Sequence, residues 1–215
     1  MRTLENRKIL IDGLKELGID ASEEALDKFI LFMKIMLEWN EKINLTAITA
    51  ENEVYIKHFL DSATCLSTGY IKDGMKVIDV GTGAGFPGVP LKILKQGIEM
   101  ILLDSLNKRI SYLNEVLAEL ELKKATAVHA RAEEAGSSKT HRGAYDIVLS
   151  RAVAAMNVLC EYCMPFAKVG GFFLCQKGPD MEEELKEAGT AIKVLGGAVR
   201  EVKEYRLPFS DIRHN

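Results

Sequence analysis

The chain lacks a long apolar run: nowhere do about 18 consecutive residues stay apolar, so no segment reads as a membrane-spanning helix. Its first ten residues, MRTLENRKIL, carry charges where a secretory leader needs an apolar stretch, and the cytoplasm is the expected compartment. Cysteine is sparse. Of Cys65, Cys160, Cys163 and Cys175, only Cys160 and Cys163 form a C-x-x-C pair, and neither a second pair nor clustered histidine completes a zinc set. Reduced thiols packing as small hydrophobes are expected, with no metal. An excess of one charge is also missing, since 28 Lys and Arg stand against 31 Asp and Glu for a formal net charge of -3. A nucleic-acid partner would therefore have to be held by a local basic patch and not by a global field. What is present, 47% hydrophobic and 27% charged residues in a chain of 215, suffices for one α/β domain plus a small extension.

The first third of the chain reads as helical. Leu10, Ile11, Leu14 and Leu17 recur at helical spacing over residues 4–17, and Gly18 supplies a stop. Ser22 can cap a second helix running to about Asn40, with Phe29, Ile30, Met33, Met36 and Leu37 on its apolar side. A connection over residues 40–49 leads to a third helix from about Glu51 through Cys65. Residues 1–72 are therefore expected to form a helical cap packed on a second domain, residues 73–215. There the period changes: strands are expected at 76–80, 99–104, 125–130, 145–150 and 171–176, separated by helix-length segments. Such alternation predicts a mainly parallel, doubly wound sheet. A helix over 179–195 and a last strand near 199–205 are expected to extend it.

The stretch VIDVGTGAGFPGVP, residues 77–90, organises the rest. A short buried strand runs into Gly81, Gly83 and Gly85, which let the backbone bend and let a ligand lie against the main chain. With Asp79 these glycines fit an E/D-x-G-x-G-x-G pattern, while Gly83, Gly85 and Gly88 also fit the dinucleotide G-x-G-x-x-G. In the second reading helix N–H groups must hold a pyrophosphate, and Pro87 and Pro90 have given up two of them. That opposes NAD and favours a ligand without phosphates. Asp104, at the end of the second strand, lies where a carboxylate can accept both hydroxyls of a ribose. Ala132 and Glu133 follow the third strand, Ser150 and Arg151 close the fourth, and Gln176 and Lys177 end the fifth, all on the carboxyl edge of the sheet.

Here the residues meet a family. The glycine stretch, DSLNKR at 104–109, RAEE at 131–134 and SRAVA at 150–154 together resemble the RsmG (formerly GidB) family of bacterial ribosomal RNA methyltransferases, and WNEKINLTAI at 39–48 and HFLDS at 58–62 resemble that family's N-terminal signatures. The resemblance covers residue 25 to the end. It implies a Rossmann-like class I methyltransferase sheet with an N-terminal helical extension, S-adenosyl-L-methionine as cofactor, and transfer of its methyl to N7 of a guanine in the 530 loop of 16S ribosomal RNA. Cofactor positions carry over onto Gly81, Phe86, Ala132, Glu133 and Arg151, with Asp79, Gly83, Gly85, Asp104 and Ser105 completing the set. Proteins of this kind usually continue past the position of Asn215 through a last strand and a basic tail, so a longer native chain is expected.

Guanine N7 has an in-plane lone pair and no proton to lose, so no general base is expected; the catalytic assignment is substrate orientation by Arg151 or Lys177, through a hydrogen bond to O6. Phe86 and Phe209 are candidates for stacking on a splayed base, with core packing the stronger expectation for Phe86. Lys108, Arg109, Lys123, Lys124, Arg131 and Arg142 are candidates for a basic surface, and His58 is expected to be a packed helical residue with a local partner. The expected partner is 16S ribosomal RNA or the small ribosomal subunit, met by a monomer. The alternatives are a small-molecule methyltransferase and an NAD-dependent oxidoreductase.

Overall fold

The computed structural model describes residues 2–151, 154–178 and 181–215, with the side chains of residues 2–6 left out. Ala152 and Val153 of the SRAVA stretch, and Pro179, the expected start of the last long helix, lie outside the described residues. Helix α1 (Arg2–Glu16) stops ahead of Gly18, as its spacing predicts. Helix α2 (Glu23–Ile43) is capped by Ser22, whose Oγ accepts from the Ala25 N–H at 3.2 Å, and acidic Glu23 and Glu24 occupy the first turn, where the helix dipole favours them. It runs three residues past Asn40 and ends at Asn44, which takes a left-handed φ of 49° that asparagine tolerates. The expected third helix is a continuous run of α3 (Glu51–Val54), a π-helical stretch (Tyr55–Leu60) and α4 (Asp61–Ser67).

The alternating pattern then builds β1 (Lys76–Val80), α5 (Gly88–Leu94), β2 (Glu99–Asp104), α6 (Asn107–Glu119), β3 (Ala125–His129), α7 (Ala132–Ser137), β4 (Tyr145–Arg151), α8 (Met156–Cys163), β5 (Ala167–Gln176) and α9 (Met181–Val194). The five strands form one sheet in the order β3-β2-β1-β4-β5, with every neighbouring pair parallel. The doubly wound parallel sheet expected from the sequence is the one found. Each strand feeds one side chain to each face in turn. Val77, Met100, Leu102, Ile147 and Leu149 meet α1, α2, α5, α6 and the π-helical stretch in one large apolar cluster. Ile78, Val80, Leu103 and Val148 meet Ala135, Cys163 and Phe166 in a second, on the opposite face.

The N-terminal helices lie on the first of those faces. Phe29 and Phe59 pack with ring centroids 4.9 Å apart, Phe32 reaches Phe86 at 5.4 Å, and Trp39 of α2 meets Tyr112 of α6 at 5.9 Å. Aromatic pairs at such separations add to the burial of their area. The C-x-x-C thiols part company: Cys163 packs under the sheet and Cys160 against α9. Among the described residues, no helix is long and apolar enough to cross a membrane.

One expected element is different. Residues 199–204 form no strand, and the sheet ends at β5; instead β6 (Tyr205–Arg206) pairs antiparallel with β7 (Arg213–His214) as a separate two-stranded hairpin. Glu201, Lys203 and Glu204 are charged and exposed, and the run between Val199 and Tyr205 alternates too little apolar surface to bury against an edge strand. The hairpin nonetheless brings the chain back to the sheet's carboxyl edge, where Asn215 exchanges two backbone hydrogen bonds with Lys177, at 2.8 and 2.9 Å.

Candidate active site

The strand order reverses between β1 and β4: the chain moves from β1 through β2 to β3, then crosses back to β4 on the other side. In open α/β sheets the crevice at the carboxyl end of such a reversal receives the ligand. The β1 turn stands on one side of it and Arg151, the last residue of β4, on the other.

Asp79 holds that turn together from inside. Fully buried, it accepts from Thr82 Oγ1 at 2.6 Å and from the Gly88 N–H at 2.8 Å through Oδ2, while its Oδ1 has no partner. Burial outweighs those two donors and pushes the carboxyl pKa up to about 6. The folded protein therefore holds a proton that the unfolded chain releases at its ordinary value of 3.8. Stability from this group is full below that value and declines as pH rises through about 6, by about 3 kcal/mol at most. Asp79→Asn, which cannot ionise, is expected to flatten this decline when melting temperature is followed between about pH 4 and 7.

Gly83 and Gly85 take φ of +60° and +94°. A Cβ at Gly85 would sit 2.7 Å from Val89 Cγ2, inside the core, whereas one at Gly83 would meet nothing nearer than the Gly81 carbonyl at 4.0 Å. Gly85 is thus needed for packing, while Gly83 presents open main chain. Gly81 ties the turn to β2 by donating to the Leu103 carbonyl at 2.9 Å. At the start of α5 the donors are spent: Gly88 donates to Asp79, Val89 donates to the Gly85 carbonyl at 2.8 Å, and Pro87 and Pro90 have no N–H. Nothing remains there to hold a pyrophosphate, which NAD would need.

Asp104, 2% exposed, ends β2 with its carboxylate facing the same turn. Its Oδ2 accepts from the Gly83 N–H at 2.9 Å and Arg109 Nη1 at 3.2 Å, and its Oδ1 from the Leu106 N–H at 2.9 Å. Ser105 beside it is exposed, with its carbonyl accepting from His129 Nε2 at 3.0 Å. Ala132 and an exposed Glu133 open α7 at the end of β3. Asp79, Gly81, Gly83, Gly85, Asp104 and Ser105 thus lie together around the β1 and β2 ends, with Ala132 and Glu133 one strand further out.

Arg151 is held more tightly than its sequence position alone suggested. Nη1 donates to Asp61 Oδ2 at 2.8 Å and reaches the Lys57 carbonyl at 3.4 Å, Nη2 donates to His58 Nδ1 at 3.2 Å, and the guanidinium lies 5.0 Å from the centre of the Phe86 ring. His58 stacks on the same Phe86 ring, with centroids 4.4 Å apart. Because His58 Nδ1 accepts from Arg151, the ring's proton sits on Nε2, which donates to Thr46 Oγ1 at 2.9 Å. Burial, with Arg151 beside it, holds His58 neutral by pushing its pKa down to about 4. Phe86 is 5% exposed, its ring committed to the aromatic core, as the sequence favoured.

Asp61, 1% exposed, accepts on its second oxygen from His214 Nδ1 at 2.5 Å. Burial raises its carboxyl pKa, but His214 and Arg151 outweigh this and hold it below the ordinary range. Lys177 is engaged elsewhere, its ammonium 2.6 Å from Glu184 Oε2 and 3.0 Å from the Ala154 carbonyl. The two residues expected to orient a substrate therefore sit in separate networks.

The candidate basic residues divide by edge. Lys108, Arg109 and Arg131 follow β2 and β3 and lie at the carboxyl edge, whereas Lys123, Lys124 and Arg142 precede β3 and β4 at the opposite end of the parallel strands. Arg109 is paired with Asp104, and Phe209 is 55% exposed on the C-terminal hairpin. Sequence reasoning passed over Asp61 and Thr46 as site residues. A signal existed: His58 and Asp61 are three apart on one helical stretch and so share a face.

The family model described as GidB, rRNA small subunit methyltransferase G, matches residues 25–212. Proteins named ribosomal RNA small subunit methyltransferase G from Alkaliphilus metalliredigens and Alkaliphilus oremlandii are 54% and 57% identical over 212 residues, covering 99% of this chain and 89% of each relative. A solved S-adenosylmethionine-dependent methyltransferase from Aquifex aeolicus shares the fold with a TM-score of 0.53 at 20% identity, over 75% of this chain and 89% of that one. With most of its length matched, this chain belongs to the GidB family, rRNA small subunit methyltransferase G.

Proposed function

We propose that this chain transfers the methyl group of S-adenosyl-L-methionine to N7 of a guanine in the 530 loop of 16S ribosomal RNA, acting in the cytoplasm as a monomer on the RNA or the small ribosomal subunit. The observation that carries this reading is membership of the family, with relatives more than half identical that are named for small-subunit ribosomal RNA methylation. The residues fit the cofactor. Open main chain at Gly83 and the Asp104 carboxylate suit an unphosphorylated nucleoside, and the exhausted donors at the start of α5 oppose the oxidoreductase alternative.

S-adenosylmethionine supplies an electrophilic methyl group when bound. Asp104 is assigned the ribose hydroxyls, Gly81, Gly83 and Ser105 the surrounding main-chain contacts, and Ala132 and Glu133 the base, while Gly85 shapes the turn from its packed side. Asp79 supports the turn from beneath and Phe86 walls it. No residue need remove a proton, since N7 attacks with a lone pair, and aligning N7 with the methyl can supply up to about 7 to 11 kcal/mol of the barrier. Arg151 is the stronger candidate than Lys177 for donating to guanine O6, because it ends β4 beside the β1 turn, whereas Lys177 follows β5 and is turned to Glu184 and the Ala154 carbonyl.

Labelled S-adenosylmethionine and small subunits from a strain lacking the protein test this directly. Label is expected at a guanine N7 of the 530 loop, mapped by mass spectrometry. Cofactor binding without transfer to RNA would instead favour the small-molecule methyltransferase.

A further inference from the structure

Arg151 places a permanent cation, 15% exposed, at the β4 side of the crevice. A ribose held at Asp104 on β2 would leave the rest of S-adenosylmethionine to run toward β1 and β4, which would bring its sulfonium cation to the Arg151 side of the crevice. Two cations in a partly desolvated cleft repel. Asp61 lies 2.8 Å from Nη1 and is itself fixed from the other side by His214, while His58, the remaining partner, is a neutral acceptor. Among the described residues that bond Arg151, Asp61 is the one carrying the opposite charge.

We infer that Asp61, supplied by the N-terminal helical layer, is a positioning residue that balances the charge of Arg151, so that the crevice accepts a sulfonium cation without repulsion. Once His214, whose proton is held by its bond to Asp61, has given that proton up, the Arg151–Asp61 pair has little net charge and Arg151 acts as an oriented hydrogen-bond donor. This rests on the proposed placement of the cofactor in the crevice. It predicts a specific chemical discrimination, because the demethylated product is a neutral thioether of nearly the same shape. A purely structural role for Asp61 would alter the affinity of both molecules alike; a charge-balancing role would alter that of the sulfonium alone.

Calorimetric Kd values for S-adenosylmethionine and S-adenosylhomocysteine, measured on the full chain, separate the two. Asp61→Asn keeps an acceptor for Arg151 and is expected to weaken the sulfonium about tenfold more than the thioether. Asp61→Glu, which retains the charge, is expected to restore the native ratio even if both affinities fall. Arg151→Gln, leaving Asp61 as an unopposed anion, is expected to shift the ratio the other way, toward the sulfonium. These last two variants carry the test if Asp61→Asn fails to fold. An unchanged ratio in Asp61→Asn, or Asp61→Glu behaving like Asp61→Asn, would overturn the charge-balancing role while leaving the cofactor site standing. Failure of the native protein to bind either molecule would remove the cofactor site and this inference together.

Discussion

Asp61→Ala is expected to lower the free energy of unfolding by about 3–5 kcal/mol, because it leaves the Arg151 guanidinium buried without its counter-charge. His214 loses its partner in the same step, and with it one of the contacts between the C-terminal hairpin and the helical layer, beside the burial of Leu207. The loss is expected to depend on pH. Asp61, held below the ordinary carboxylate value of 3.8, contributes stability above that value and loses it on acidification. His214 is held above its ordinary 6.5 by its bond to Asp61, and contributes below that value until pH rises through its shifted pKa. Both contributions coexist between 3.8 and 6.5, so urea titrations in that window should show the largest difference between native and Asp61→Ala proteins. A difference below about 1 kcal/mol there would mean that water replaces the carboxylate easily.

The glycine turn yields the second prediction, as a contrast between neighbours. Gly85→Val forces a φ of +94° on a β-branched residue and drives its side chain into Val89 and Leu113. Strain and overpacking together are expected to destabilise the fold by about 3 kcal/mol. Gly83→Ala meets no such wall, and its stability should fall by only about 1 kcal/mol from the positive φ. Its methyl group instead occupies the space a ligand would use, so affinity for S-adenosylmethionine is expected to fall about tenfold or more, or about 1.4 kcal/mol. Chemical denaturation and calorimetry on the two variants would check the pair. Unchanged affinity in a folded Gly83→Ala protein would move the ligand off this turn.

Much of this molecule is written locally. A buried strand in a parallel sheet is a short apolar run, so β1, β2 and β4 could be read almost to the residue; the half-exposed edge strand β3 was legible from its place in the alternation, and β5 differs only in beginning at Ala167. The turn after β1 announces itself because glycine alone tolerates its backbone, and Asp104 because it closes a strand on the edge where such sheets bind ligands. Residues 199–204 misled for the opposite reason. Scattered valines in a charged segment satisfy strand propensity but give no continuous face to bury, and propensity without burial does not hold a strand.

By itself, then, the sequence determined the sheet, its glycine turn and the carboxylate beside it, since each depends on residues within one strand or one turn. The surroundings of Arg151 come instead from long-range packing. Asp61 and His58 are about 90 residues away in the chain, and His214 about 150 from Asp61, so no periodicity or spacing links them. The same holds for the basic residues, which look alike in sequence but are sent to opposite ends of the strands by parallel pairing. A charge's partner is set by which surfaces the core brings together, and that core forms from apolar side chains that carry no record of which polar groups will meet at its rim.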